Sequence, residues 1–186
     1  MLIHHERKLI YLSHAKTGSH AIVKSLEQVG FIQHGWHHAR LNTFNREDPD
    51  EWISITTVRN HWDIVVSWMF ARFNGPPPKW NKSAVYDALG DYHQPGRIPH
   101  QNRHILNREP PGKWSFFRFH EDANAILRYE SLQEDLHHYV PDAPLLRVVN
   151  PTPNKPNIPY ERHYTNETHD LVLFLFQEEI AKYGYL

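Results

Sequence analysis

The chain contains no cysteine. That absence removes disulfides, cysteine-ligated zinc, iron–sulfur clusters and thiol nucleophiles together. No run of about 18 apolar residues occurs, the length a helix needs to span a bilayer. Met1 to Ile10 are charged and lead straight into an apolar strand pattern, without the long apolar stretch and small-residue cleavage site of a secretory leader. A soluble, cytoplasmic protein without membrane attachment is therefore expected. Nor does one sign of charge dominate. Lys and Arg total 20 against 21 Asp and Glu, for a net charge of −1, whereas a general nucleic-acid binder carries a strong basic excess. Repeats, low-complexity tracts and an HExxH zinc motif are also missing.

What is abundant is histidine, sixteen residues in a chain of 186. At roughly 100–150 residues per domain, this length implies one domain over residues 1–186. Neutral net charge hides an uneven distribution. Residues 1–46 carry Arg7, Lys8, Lys16, Lys24, Arg40 and Arg46 against Glu6 and Glu27, a local excess of four positive charges. Seven of the histidines lie in the same stretch. A basic end of this kind suits a polyanionic ligand.

Alternation of strand and helix patterns is clear. Leu9–Leu12 is a short apolar run that enters the turn-prone Lys16-Thr17-Gly18. Ala21, Ile22, Ser25, Leu26 and Val29 then recur at helical spacing, up to a stop at Gly30. A second unit repeats the order, with the β-branched run Trp52–Val58, then Arg59-Asn60, then a helical face of Trp62, Val65, Val66, Met69 and Phe70. Glu47–Glu51 reads as a solvated turn. Residues 74–113 hold seven of the fourteen prolines, so long regular elements are not expected there. Such an excursion is commonly a binding loop or lid. The spacing then predicts a strand over 125–129, a helix over 131–139, a strand over 145–149, a Pro-rich stretch over 151–159 and a helix from a Thr165 cap to about Tyr183. The fold class is α/β, with a mainly parallel sheet covered by helices on both faces.

In such sheets ligands bind at the carboxyl ends of the strands, where helix N-termini offer N–H groups and a positive dipole. Ser13-His14-Ala15-Lys16-Thr17-Gly18-Ser19-His20 occupies that position. Its lysine, glycine and hydroxyls make an anion cradle, set against the plainer reading of a β-α turn with a surface lysine. It is not a Walker A loop, since Lys16 precedes Gly18 instead of following it.

Val58-Arg59-Asn60-His61-Trp62-Asp63-Ile64-Val65-Val66-Ser67-Trp68 resembles the V-R-N-P-W-D-R-x-V-S-x-Y segment of sulfotransferases that use 3′-phosphoadenosine 5′-phosphosulfate (PAPS). The first loop is similar to their P-K-T-G-G-T-S. Leu127–Leu132 resembles the L-R-Y-E-D-L of the Golgi-type and bacterial carbohydrate branch. Val149-Asn150 with Tyr164 and Tyr183-Gly184-Tyr185 is similar to the ending of that branch. The four segments fall in order from residue 9 to the C-terminus. Three departures stand out: Ala15 for the loop proline, His20 for a phosphate-contacting threonine, and His61 for the proline of V-R-N-P.

The resemblance implies a three-layer, P-loop-like α/β domain that transfers a sulfuryl group from PAPS to a hydroxyl, on a carbohydrate or other small acceptor. Under it, Lys16, Thr17, Gly18, Ser19 and His20 hold the 5′-phosphosulfate. Arg59 and Ser67 hold the 3′-phosphate, and Lys16 offsets charge on the leaving nucleotide. A histidine supplies the base. His38 is the first candidate, His37 the second and His34 the third, and in a strand His37 and His38 would face opposite sides. All three as surface or packing residues is the competing reading. The His34-x-x-His37-His38 spacing also invites a metal site, which the resemblance does not imply. His137-His138 is expected to be solvated. Arg128 and Glu130 read as structural, Asn150 as a residue of the ligand edge, and Trp80, Tyr86, Tyr92 and Trp114 as packing or acceptor-stacking residues. A P-loop nucleotide kinase and a catalytically degenerate nucleotide-binding module remain as alternatives.

Overall fold

The computed structural model describes residues 1–35, 37–38, 41, 44, 49–90, 123–149, 151–152 and 154–185. In chain order its regular elements are β1 (Leu2–His4), β2 (Leu9–Leu12), α1 (Ser19–Glu27), β3 (Ile32–Gln33), β4 (Ile53–Val58), α2 (His61–Phe73), α3 (Lys82–Gly90), β5 (Ala125–Arg128), α4 (Leu132–Tyr139) and α5 (Asn166–Lys182). Short 3-10 turns cover Pro49–Glu51, Tyr129–Ser131 and Tyr160–His163. Two compact units divide the chain. One comprises Met1–Arg59 and Phe117–Pro151, the other Asn60–Phe116 and Thr152–Leu186.

The first unit contains the sheet, in the order β3-β1-β2-β4-β5. β2, β4 and β5 run parallel, and β1 pairs antiparallel with both β2 and β3. The sheet is thus mixed, parallel across its centre and one edge. β2 is buried along its whole length because both faces are covered. Leu9 and Tyr11 point to a cluster completed by Ile22 and Leu26 of α1, Ile55, Leu127, and Leu132 and Leu136 of α4. Ile10 and Leu12 point the other way, with Met1 and Ile3, toward half-buried Leu41, Phe44 and Trp52. Register then fixes a common edge. Leu12 pairs with Thr56 and Val58 with Arg128, so the residues after β2, β4 and β5 leave the sheet on the same side.

In the second unit, α2 is buried from His61 to Phe70 except at Asp63, as expected for a helix apolar on nearly every face. Asn60 caps it, accepting from the amides of Trp62 (3.0 Å) and Asp63 (3.4 Å). Trp62 stacks on His169 with ring centroids 4.8 Å apart. α5 starts with a capping box between Thr165 and Thr168 and kinks at Phe176. Among the described residues no helix is long and apolar enough to cross a membrane.

Four local outcomes differ from the sequence reading. Leu2–His4 is a strand, folded onto β2 by a turn in which Lys8 adopts φ +47°. The segment 145–149 forms no ladder. Gln133 instead accepts from the Leu146 amide at 2.6 Å, and Ser25 donates to the Pro144 carbonyl at 2.7 Å. His137 is half-buried instead of solvated, with Nε2 2.7 Å from the Ala143 carbonyl. Finally, α3 forms inside the Pro-rich stretch, just after Pro76–Pro78. Asn81 accepts from the Ala84 amide at 3.0 Å and opens that helix. The remainder of that stretch, with Tyr92, lies outside the described residues, as do Trp114 and Asn150. Trp80 packs on His163, centroids 5.1 Å apart, which favours its packing role.

Candidate functional site

The loop that joins β2 to α1 is held in a specific shape. Ser13, His14, Thr17 and Ser19 are buried, Lys16 is half-buried and His20 exposed. Thr17 Oγ1 donates to the His14 carbonyl at 2.8 Å. Lys16 has φ +63° and Gly18 φ +77°, consecutive left-handed turns within three residues. A Cβ at Gly18 would lie 3.1 Å from Leu132 Cδ2 and 3.2 Å from Tyr129 Cε2. The backbone angle calls for glycine there, and the space for a side chain is tight. α1 begins directly after it, with no side-chain cap and no acidic residue in its first turn.

Arg59, at the end of β4, braces this loop. Its Nη1 donates to the Lys16 carbonyl at 2.8 Å, and its guanidinium carbon lies 3.9 Å from the centre of the Tyr129 ring. Arg59 is only 9% exposed. A planar cation stacked on an aromatic face keeps a fixed orientation, and here that orientation holds a loop whose Lys16 sits in an uncommon backbone region. Tyr129 thus touches both Arg59 and the Gly18 position. The sequence reading did not single it out, because its contacts come from three-strand pairing and not from its neighbours in the chain. Arg128, beside it, is exposed, and its backbone amide donates to Asp135 at 2.6 Å.

The histidines gather at the start of the same loop. His38 Nδ1 lies 2.7 Å from the Ser13 carbonyl. A carbonyl only accepts, so Nδ1 carries the proton, and in the neutral ring the lone pair is on Nε2. His37 Nε2 lies 3.0 Å from Ser13 Oγ. The N-terminal amine of Met1 donates to the His37 carbonyl at 3.1 Å. Ring centroids separate His37 from His38 by 4.5 Å and from His20 by 5.0 Å. Burial lowers the His37 ring to about 4, assisted by repulsion from His38, His20 and the amine. Burial also lowers His38, opposed by its bond to the Ser13 carbonyl. Both rings are neutral at pH 7 and able to accept a proton.

His37 and His38 occupy a turn past β3, not a strand, and both reach Ser13 through different atoms. Their expected divergence on a strand therefore does not arise. His34 is exposed and packs edge-on against Phe44, centroids 5.0 Å apart. Among the described residues no group of three or more His, Asp or Glu side chains is placed to hold a metal ion.

The first unit thus brings together Lys16, Thr17, Gly18, Ser19, His20, His37, His38 and Arg59. Ser67 belongs to the second unit, where it is buried on α2. Lys155 Nζ donates to Asp63 Oδ1 at 2.5 Å and lies 3.4 Å from Ser67 Oγ. Asp63 and Ser67 are one helical turn apart, which puts them on one face. Lys155 comes from the Pro-rich 151–159 segment. Only the i, i+4 spacing on α2 hinted in sequence that something charged would lie across from it. Asn60, which caps α2, also donates to the Tyr160 hydroxyl at 3.1 Å. At the position after it, His61 Nε2 meets Glu179 Oε2 at 2.6 Å, both side chains buried. A scan against protein-family models and searches among curated proteins and solved structures find no match to this chain.

Proposed function

We propose that the protein is a PAPS-dependent sulfotransferase of the three-layer, P-loop-like class, acting on a hydroxyl of a carbohydrate or similar small acceptor. The observation that carries this reading is the braced loop. Lys16 and the first amides of α1 share one strand edge with Arg59, and His38 is anchored to the same loop through the Ser13 carbonyl.

In this reading the amides of Thr17, Gly18 and Ser19, with the His20 end of the loop, hold the 5′-phosphosulfate. Arg59 braces the loop, and Ser67 offers its hydroxyl to the 3′-phosphate. His38 Nε2 takes the proton of the acceptor hydroxyl as its oxygen forms the new S–O bond. The S–O bond to the 5′-phosphate breaks in line, and Lys16 offsets the charge that collects on the departing adenosine 3′,5′-bisphosphate. Positioning and charge stabilisation account for most of the acceleration in such loose transfers. His38 is preferred to His37 because its bond to the Ser13 carbonyl fixes the proton on Nδ1. Proton transfer to a positioned base is worth about 10²–10⁴ in rate.

Thermal shift with adenosine 3′,5′-bisphosphate against ATP with Mg²⁺ tests the reading. Selective stabilisation by the bisphosphate, lost in Arg59→Ala, is expected; equal or absent stabilisation would sink it. Transfer of labelled sulfate from PAPS to a glycan panel then separates an enzyme from a module that only binds the nucleotide.

A further inference from the structure

Lys155, Asp63 and Ser67 form a cluster that the loop chemistry does not use. The ammonium of Lys155 is held by a carboxylate at 2.5 Å while a hydroxyl waits 3.4 Å away. Lys155 and Asp63 side chains are 18% and 22% exposed, so the pair is largely out of water but open at one side. His163 faces the same cluster. Burial and the charge of Lys155 lower its ring, while Asp63 raises it.

We propose that Asp63 is a resident anion that yields Lys155 to a phosphomonoester bound at Ser67. The inference rests on the sulfotransferase reading, in which Ser67 serves the 3′-phosphate. Its basis is a match of chemistry. A carboxylate and a phosphate use the same ammonium in the same way, as acceptors of charge-assisted hydrogen bonds. A phosphate dianion carries more charge and more acceptor oxygens than the carboxylate it replaces, so the exchange runs toward the ligand. Asp63 stays on α2, where a negative charge in the first turn remains favourable after Lys155 turns away. Without its carboxylate partner, Lys155 would keep the Ser67 hydroxyl as its side-chain partner among the described residues. Asp63 thus keeps the ammonium aimed until the ligand arrives, and sets an upper limit on affinity.

The two members of the pair should move ligand preference in opposite directions. Affinities for adenosine 3′,5′-bisphosphate and for adenosine 5′-monophosphate are measured by calorimetry, and their ratio reports the 3′-phosphate alone. Lys155→Met, which keeps the aliphatic stem, should cut that ratio about tenfold, the effect of one charge-assisted hydrogen bond. Asp63→Asn should raise it about threefold, since a competing anion is gone. A purely structural ion pair would lower melting temperature in both variants and leave the ratio at its wild-type value; that result, or a fall in the ratio for both, overturns the proposal. Should Lys155→Met not fold, the isosteric Asp63→Asn decides alone by the sign of its shift. A wild-type protein that fails to distinguish the two nucleotides overturns the sulfotransferase reading itself, and is thereby told apart from failure of the exchange.

Discussion

His37 and His38 leave water beside a hydroxyl, a carbonyl and one another, whereas His61 leaves water against a carboxylate. In the first setting burial is the largest influence, and it drives the rings toward the neutral form. The second ties its ring to Glu179 at 2.6 Å, between the first residue of α2 and the helix past the Phe176 kink. Phe176 packs on that ring, centroids 5.1 Å apart. One setting supplies groups able to take up a proton, the other a fixed polar contact within a helical cluster. An abundance of histidine is therefore not one property. The neighbours of each ring decide what it does.

Three changes would break or sharpen that contrast. The largest effect is expected at His38. Its replacement by Ala should lower sulfate transfer by about 10²–10⁴ and leave binding of adenosine 3′,5′-bisphosphate intact. Full transfer in that variant, measured with labelled PAPS, would remove it from the chemistry. Next is the His61–Glu179 pair. His61→Ala leaves a buried carboxylate without its imidazole and should destabilise the protein by about 3 kcal/mol in urea unfolding. Changing both residues to Leu should recover most of that loss, because an apolar pair of similar volume is often as stable as a buried polar one.

The smallest effect is in pH dependence. His37 titrates near 4 in the folded chain against an ordinary 6.5. Between those values the unfolded chain binds more protons than the folded one, so stability falls as pH drops from about 6.5 toward 4. Melting temperature over that range should fall less steeply in His37→Gln than in the wild type. Parallel slopes would show that another group carries the effect.

Much of the edge that holds the candidate site was legible in the sequence. Leu9–Leu12 followed by Lys16-Thr17-Gly18, and Ile53–Val58 followed by Arg59, carry their meaning locally: apolar runs, a glycine, then helical spacing. What was not legible depends on contacts across the chain. Tyr129 meets Gly18 and Arg59 only because β5 pairs in parallel with β4. Lys155 finds Asp63 across 92 positions. Leu2–His4 escaped notice because three residues before a charged turn give too short a pattern to distinguish from a terminus. The segment 145–149 has the composition of a strand, but Gln133, His137 and Ser25 engage the backbone of Leu146, Ala143 and Pro144. β-propensity describes fit to a pleated neighbour, and the described residues supply none there.

The left-handed backbone of Lys16 has a consequence for how this chain would respond to selection. Lysine is an uncomfortable occupant at φ +63°, whereas asparagine is the side-chain-bearing residue most at ease there. A library screened only for survival on heating should therefore accumulate Lys16→Asn, giving a sturdier fold stripped of its ammonium. Under the proposed function, thermostability and ligand chemistry pull in opposite directions at that one position. Any directed evolution of this scaffold must select for both at once, or it will discard the second while improving the first.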